Sequence, residues 1–414
     1  MTGLPAADVI ASLFRHAGLE LPVRLRAWDG SEAGPAADGP VLIIRSPQAL
    51  RRMLWRPGEL GLARAYISGD LDVTGDVTEG LRRVLSAFRS VRVAPSTWAP
   101  AAWAGIGAAR RLGVLGTPPE RPGCELRIRG RLHSRGRLHS RARDQAVIAG
   151  HYDLPVAFFQ LILDPAMAYS CGHWPGDDPD RTLADAQRDK LEMICRKTGL
   201  EPGSRLLDMG CGWGSLTIHA AHEHKAQVTA VTQSREQGGY VRQRIAELGL
   251  ADRAQVRIQD YRDGAGDSYD AIASVEMGEH VGAAGYPRFC AALHRRLRPG
   301  GHLLIQQMSR DSRAPGGGPF IESYIAPDMT MRPVGETVQL IEKAGFEVVG
   351  VEAMRDHYVR TIRAWLDNFE RSLPAVSALL SEEQVRVWRL YLAGGALAFE
   401  EGRMGVDQIL AVRR

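Results

Sequence analysis

The chain has 414 residues, 44% apolar and 24% charged, with a formal net charge of +4, a balance that excludes a collagen-like or largely disordered polymer and leaves a globular protein. That length exceeds one ordinary hydrophobic core and predicts a large domain with a smaller companion. The charge is uneven, with 22 Lys and Arg against 13 Asp and Glu in residues 1–150, and 30 against 35 in residues 151–414.

A basic front third attracts phosphates, whether of lipid headgroups or of nucleic acid, although a solvated surface accounts for the same balance. The five cysteines, Cys124, Cys171, Cys195, Cys211 and Cys290, show no CxxC pairing, so spacing indicates neither a disulfide framework nor a zinc site, and a reducing cytoplasm fits. No stretch reads as a signal peptide or as a spanning helix of about 20 apolar residues. The uncharged run at 93–109, broken by two prolines, is expected to pack in the first domain or at most to lie in a membrane interface.

In chain order, "ADVIASLFRHAGLE" has a helical period, "PVRLRAWDG" and "PVLIIRS" read as short strands, and residues 68–76 form a Gly-Asp turn region. Residues 1–118 are therefore predicted as a smaller mixed α+β domain. Residues 119–143 are rich in Pro and Arg and repeat RGRLHS at 129–134 and 135–140. Six residues is too short a period for a packed repeat, so this stretch is predicted as a basic linker. From 144 to 414 the pattern alternates. "SRLLDMG", "AQVTAVTQS", "AQVRIQDYRD", "YDAIASVEM" and "HLLIQQMS" read as strands, and "SLTIHAAHEH", "REQGGYVRQRIAELGL" and "YPRFCAALHRRLRPGG" as helices, the last closed by Pro-Gly. Strands separated by helices predict an α/β domain with a mostly parallel, doubly wound, Rossmann-like sheet and its ligands at the strand ends.

Gly210, Gly212 and Gly214 follow the apolar strand "RLLD" and precede a helix. Their D-x-G-x-G-x-G spacing departs from the dinucleotide fingerprint, and Asp208 would repel a pyrophosphate. A carboxylate there suits the ammonium of an amino-acid moiety. S-adenosylmethionine, a cation with an amino-acid tail and a ribose, fits that arrangement. The second strand ends in the uncharged Thr232, Gln233 and Ser234, where such folds usually place an acid for the ribose.

These blocks resemble the cyclopropane-fatty-acyl-phospholipid synthase family. "HYDLPVAFFQLILDPAMAYSCGHW" at 151–174 looks like its opening block, "LLDMGCGWGSL" like its cofactor loop and "VTQSREQ" at 231–237 like its second-strand turn. "SVEMGEHVG" at 274–282, "HYVRTIRAW" at 357–365 and, in the first domain, "ELGLARAYISGDLDV" at 59–73 are similar to further family segments. The resemblance implies a class I methyltransferase domain and S-adenosylmethionine contacts at Tyr169, Ser170, Asp208, Gly210, Gly212, Trp213, Gly214, Thr232, Gln233, Gln237, Tyr261 and Arg262. It implies a catalytic set of Cys171, Glu279, Gln306, Met308 and Tyr358 holding a bicarbonate that acts as base, and no metal.

The implied reaction transfers a methyl to the double bond of an unsaturated phospholipid acyl chain. The resulting cation needs a dry aromatic pocket, for which Phe158, Phe159, Tyr169, Trp174, Tyr324 and Tyr358 are candidates. Proton loss then yields a cyclopropane or, after a hydride shift, a methylene, the product of the tuberculostearate-forming branch. Gln306 stands where the family has histidine and Met308 where it has isoleucine. Glutamine donates a hydrogen bond but carries no charge, so the product stays open. Val156 and Ala157 replace Asn-Asp, Gly278 replaces Phe, and "YIAPDM" at 324–329 replaces "YIFPGG". The expected partners are the lipid, an anionic membrane surface at the inner face of the membrane, a flavin or NADPH reductase acting on a methylene product, and a second copy of the chain in a homodimer. A soluble acyl carrier or small molecule is the second reading. Nucleic acid is not expected, because no base-flipping motif occurs and the aromatics do not interleave with the arginines.

Overall fold

A computed structural model describes residues 4–90, 105–126, 154–263 and 268–414, apart from 17, 37 and 106. Most of the run at 93–109, the tandem hexapeptides and residues 127–143 of the linker lie outside the described residues. The chain divides into two units, residues 1–126 with 380–397, and residues 127–379 with 398–414.

The first unit holds a four-stranded sheet, order β2-β1-β3-β4, of β1 (Arg24–Arg26), β2 (Glu32–Ala33), β3 (Val41–Ile44) and β4 (Leu71–Thr74). The β1–β3 pairing is parallel and the other two are antiparallel. Ile10 of the helix Ala6–His16, Leu25, Ile44, Tyr66 and Leu71 form its core. Residues 380–397, which the sequence pattern assigns to the C-terminal domain, belong here instead. The reason is local: Arg386 donates to the Tyr66 carbonyl and to Asp72, and Leu390 packs on the same core.

The second unit is built on a seven-stranded sheet, order β10-β11-β9-β8-β5-β6-β7. Its strands are β5 (Arg205–Met209), β6 (Gln227–Thr232), β7 (Ala254–Ile258), β8 (Tyr269–Val275), β9 (Leu297–Ser309), β10 (Phe346–Ala353) and β11 (Gly405–Arg413). Only β11 runs antiparallel to its neighbours. Both faces are buried, as a parallel sheet requires: Leu206, Ala271 and Leu304 pack on one side, and Leu207, Ile272 and Leu303 on the other. The helix predicted to close at Pro299-Gly300 ends earlier, at Arg296, and β9 begins at Leu297, which is fully buried and pairs with Tyr269.

Candidate active site

At the end of β5 the chain turns through Gly210–Gly214 into the helix Ser215–His222. The Gly210 and Cys211 N–H groups both donate to the Val231 carbonyl at 2.9 Å, tying the turn to the end of β6. Gly210 has φ +88° and a Cβ there would lie 2.7 Å from Met277 Cγ, whereas Gly212 faces open space. The backbone is thus bare toward a cavity at the carboxyl ends of the strands, where this fold binds ligands. Gly210→Ala should therefore cost about 2–3 kcal/mol through the left-handed backbone and the Met277 contact, and lower affinity for S-adenosylmethionine at least tenfold. Thermal unfolding and calorimetric titration check both.

Every residue predicted to contact the cofactor lines this cavity except Gly214 and Arg262. Gly214 shapes the turn, since a Cβ there would meet Val241 at 2.8 Å. Arg262 turns to Asp260, donating at 2.7 and 2.5 Å, and lies over the Tyr261 ring. Asp208 is buried and accepts from Thr217 Oγ1 at 2.7 Å; burial pushes its pKa up to about 6, against the Thr217 hydrogen bond. At neutral pH it offers the cavity a carboxylate. Thr232 Oγ1 donates to Gln237 Oε1 at 3.0 Å, so the two uncharged side chains hold each other at the rim.

The catalytic set converges on a residue outside it. Glu276 follows β8 and is half-buried, its carboxylate accepting from the Cys171 N–H at 2.8 Å, Gln306 Nε2 at 2.9 Å and Tyr358 OH at 2.6 Å. It also lines the cavity. These donors are three of those the resemblance assigns to bicarbonate, and here they are taken by a carboxylate of the chain itself. The bicarbonate expectation is corrected accordingly: a second anion beside Glu276 would lack donors and meet like charge. Glu276 has φ +50°, a backbone strain of about 1–3 kcal/mol that persists only where the surroundings dictate it.

Strand register explains the convergence. Gln306 on β9 pairs with Val275 on one side and with Gln408 of β11 on the other. Lys197 can only donate, so its 2.7 Å contact turns the Gln408 oxygen outward; Gln408 Nε2 then donates to Gln306 Oε1 at 2.9 Å, and Gln306 Nε2 is left to donate to Glu276. The relay presents Glu276 with a donor only, which favours its ionised form.

Glu279 sits beneath. Its Oε1 accepts from the Met308 N–H at 2.6 Å, so Met308 acts through its backbone, and Oε2 has no hydrogen-bond partner among the described residues. Burial, with the nearby Glu276 carboxylate adding, pushes its pKa up to about 8, so Glu279 holds its proton at pH 7; burial raises Glu276 as well, against its hydrogen bonds from Tyr358, Cys171 and Gln306. Cys171 also acts through its backbone; its thiol is fully buried and held well above its ordinary pKa by burial.

Lys190 is the second residue the sequence reading missed. It lies 1% exposed at the cavity wall on the helix Leu183–Lys197 and donates to Ser170 Oγ at 3.0 Å. Burial lowers its pKa, and the neighbouring carboxylates Glu276, Asp164 and Asp208 oppose that.

Among the predicted aromatics, Phe159 and Tyr169 form a continuous wall with Trp213, Trp365 and Tyr358, at centroid spacings of 5.2–6.0 Å, and Phe158 backs it. Trp174 bonds Thr361, and Tyr324 packs on Phe320. A Cβ at Gly278 would meet Gln307 Oε1 at 2.2 Å and Tyr286 at 2.9 Å, which accounts for the missing Phe, and Ala326, in place of another Phe, lines the cavity.

Comparison with known proteins places the chain in a family. Residues 139–409 match the family described as Mycolic acid cyclopropane synthetase. A probable fatty acid methyltransferase of Pseudomonas putida is 37% identical over 95% of this chain and 93% of its own. Tuberculostearic acid methyltransferase UfaA1 of Mycobacterium tuberculosis is 32% identical over 99% and 92%. The crystal structure of mycolic acid cyclopropane synthase CmaA1 complexed with SAH and CTAB covers 65% of this chain and 98% of its own, with a TM-score of 0.61 and 29% identity.

Proposed function

We propose, from the premise that this chain belongs to the mycolic acid cyclopropane synthetase family and is an S-adenosylmethionine-dependent methyltransferase of lipid acyl chains, that it methylates the double bond of unsaturated phospholipid acyl chains and leaves a methylene branch. The observation that carries this reading is the Glu276 carboxylate, fixed by three donors at the cavity wall.

S-adenosylmethionine, when bound, supplies an electrophilic methyl. Asp208 and the bare Gly210–Gly212 backbone suit its cationic amino-acid end, and Lys190 holds Ser170 against them. Once the methyl has bonded to one alkene carbon, the positive charge left on the acyl chain lies beside Tyr169 and Trp213, the aromatic rings that line the cavity, and rings stabilise a cation without attacking it. A hydride shift moves the charge beside the new methyl carbon, and Glu276 takes the proton whose loss forms the methylene. Tyr358 OH and Gln306 hold the carboxylate in place throughout. The methylene outcome is also supported by similarity over nearly the full chain to named fatty acid methyltransferases. A flavin- or NADPH-dependent reductase would convert that product into a methyl branch.

No helix among the described residues is long and apolar enough to cross a membrane. The first unit instead exposes Leu54, Trp55 and Leu115, with Arg51 bonded to the Leu115 carbonyl and Trp55 to the Gly116 carbonyl. An apolar patch flanked by Arg51 and Arg56 suits an anionic lipid surface.

Gas chromatography with mass spectrometry of fatty acids from an oleate-fed host expressing the chain tests this. The expected product has gained one CH2 and takes up hydrogen under mild hydrogenation to give a methyl branch. A gain resistant to hydrogenation would mean a cyclopropane and overturn the methylene reading. Purified enzyme should act on anionic vesicles, and activity on a soluble acyl thioester alone would overturn the phospholipid reading.

A further inference from the structure

The helices Leu183–Lys197 and Ser215–His222 pack together, and beside their contact four ligand-type side chains meet that the site above does not use. A ring nitrogen of His219, one of His224 and the Cys195 Sγ lie within 4.8 Å of one another. Glu192, on the turn before Cys195, joins them, its Oε2 lying 2.9 Å from His224 Nε2 and 3.4 Å from His219 Nε2. A tetrahedral zinc shell with bonds of about 2.1 Å sets neighbouring nitrogen and oxygen donors about 3.4 Å apart. The carboxylate and the imidazoles therefore stand close to the spacing of ligands that share an ion, and the Cys195 Sγ, within 4.8 Å of a nitrogen of each ring, closes on them to complete the set.

Burial grades in the same sense. Cys195 is fully buried, the two histidine side chains are 13% and 17% exposed, and Glu192 is 40% exposed, so the cluster is closed within and open to solvent along the carboxylate. The Arg196 contact falls on the other oxygen of Glu192, at 3.7 Å, which leaves Oε2 directed at the cluster.

We infer that Cys195, His219, His224 and Glu192 bind one divalent transition metal, zinc being the best match to a thiolate, two imidazoles and a carboxylate. Binding displaces the thiol proton to solvent, and each neutral ring carries its proton on the nitrogen turned away from the ion. The ion ties the helix that leaves the glycine loop to the helix that carries Lys190, so its role is to stiffen the cofactor side of the unit from outside the cavity.

The test uses the purified full chain, stripped with chelator and titrated with Co2+, then with Zn2+ in competition. One equivalent of Co2+ is expected to produce a sulfur-to-cobalt charge-transfer band and the visible bands of a tetrahedral site, both abolished by Zn2+. Cys195→Ser should remove the charge-transfer band. His224→Gln, at a partly exposed position outside both helices, should weaken Co2+ binding at least tenfold while the far-ultraviolet circular dichroism stays that of the parent. No such bands at stoichiometric Co2+, or bands unchanged in both variants, would overturn the assignment.

Discussion

Glu276→Gln is expected to lower turnover about 10²–10⁴-fold, the contribution of a positioned general base, with affinity for S-adenosylmethionine changed less than about threefold. The amide keeps the side-chain volume but turns one acceptor into a donor, facing either the Cys171 N–H and Gln306 amide or the Tyr358 hydroxyl. A second variant separates loss of the base from loss of the fold. Glu276→Gly suits φ +50° and uncovers the three donors as an empty anion site. Added bicarbonate or formate should then restore turnover in a saturable manner. Full activity in Glu276→Gly without any added anion would place the base elsewhere.

Stability should fall with rising pH, and Glu279→Gln should remove the upper part of that fall. Burial raises the folded-state pKa of Glu279 to about 8, above its ordinary unfolded value, so between those two values the folded protein binds the extra proton. The stability this gives is fully present below the unfolded pKa and is lost as pH rises through about 8. The slope approaches about 1.4 kcal/mol per pH unit. Asp208, with its pKa at about 6, contributes the same sign but completes its titration earlier. Between pH 7 and 8 the difference between parent and variant therefore isolates Glu279. Urea unfolding at pH 6, 7 and 8 measures it, and parallel curves for the two proteins would show that Glu279 is ionised in the fold.

Much of the site was legible because its signals are local. The glycine spacing behind "RLLD" announces a tight turn with bare backbone, and the resemblance located Cys171, Gln306, Met308 and Tyr358 around one point. Glu276 was overlooked there, although a lone acid closing the apolar strand "YDAIASV" repeats the arrangement of Asp208 behind "RLL". Lys190 in "QRDKLEM" was not singled out, yet its spacing of four from Ala186 and Ile194 puts it on the buried face of the helix.

The sequence by itself determined the alternation of strands and helices from β5 to β9, the cofactor loop and the family resemblance, because apolar period and glycine placement depend only on neighbours along the chain. The tertiary structure alone decided which carboxylate occupies the anion position, since that depends on β8, β9 and β11 aligning Glu276, Gln306 and Gln408 in register. It also raised the pKa values of Asp208, Glu276 and Glu279, because removal from water and the nearness of another charge are set by residues far apart in sequence. The meeting of Cys195, His219 and His224 has the same origin: no spacing along the chain encodes it, and the packing of one helix against another brings it about.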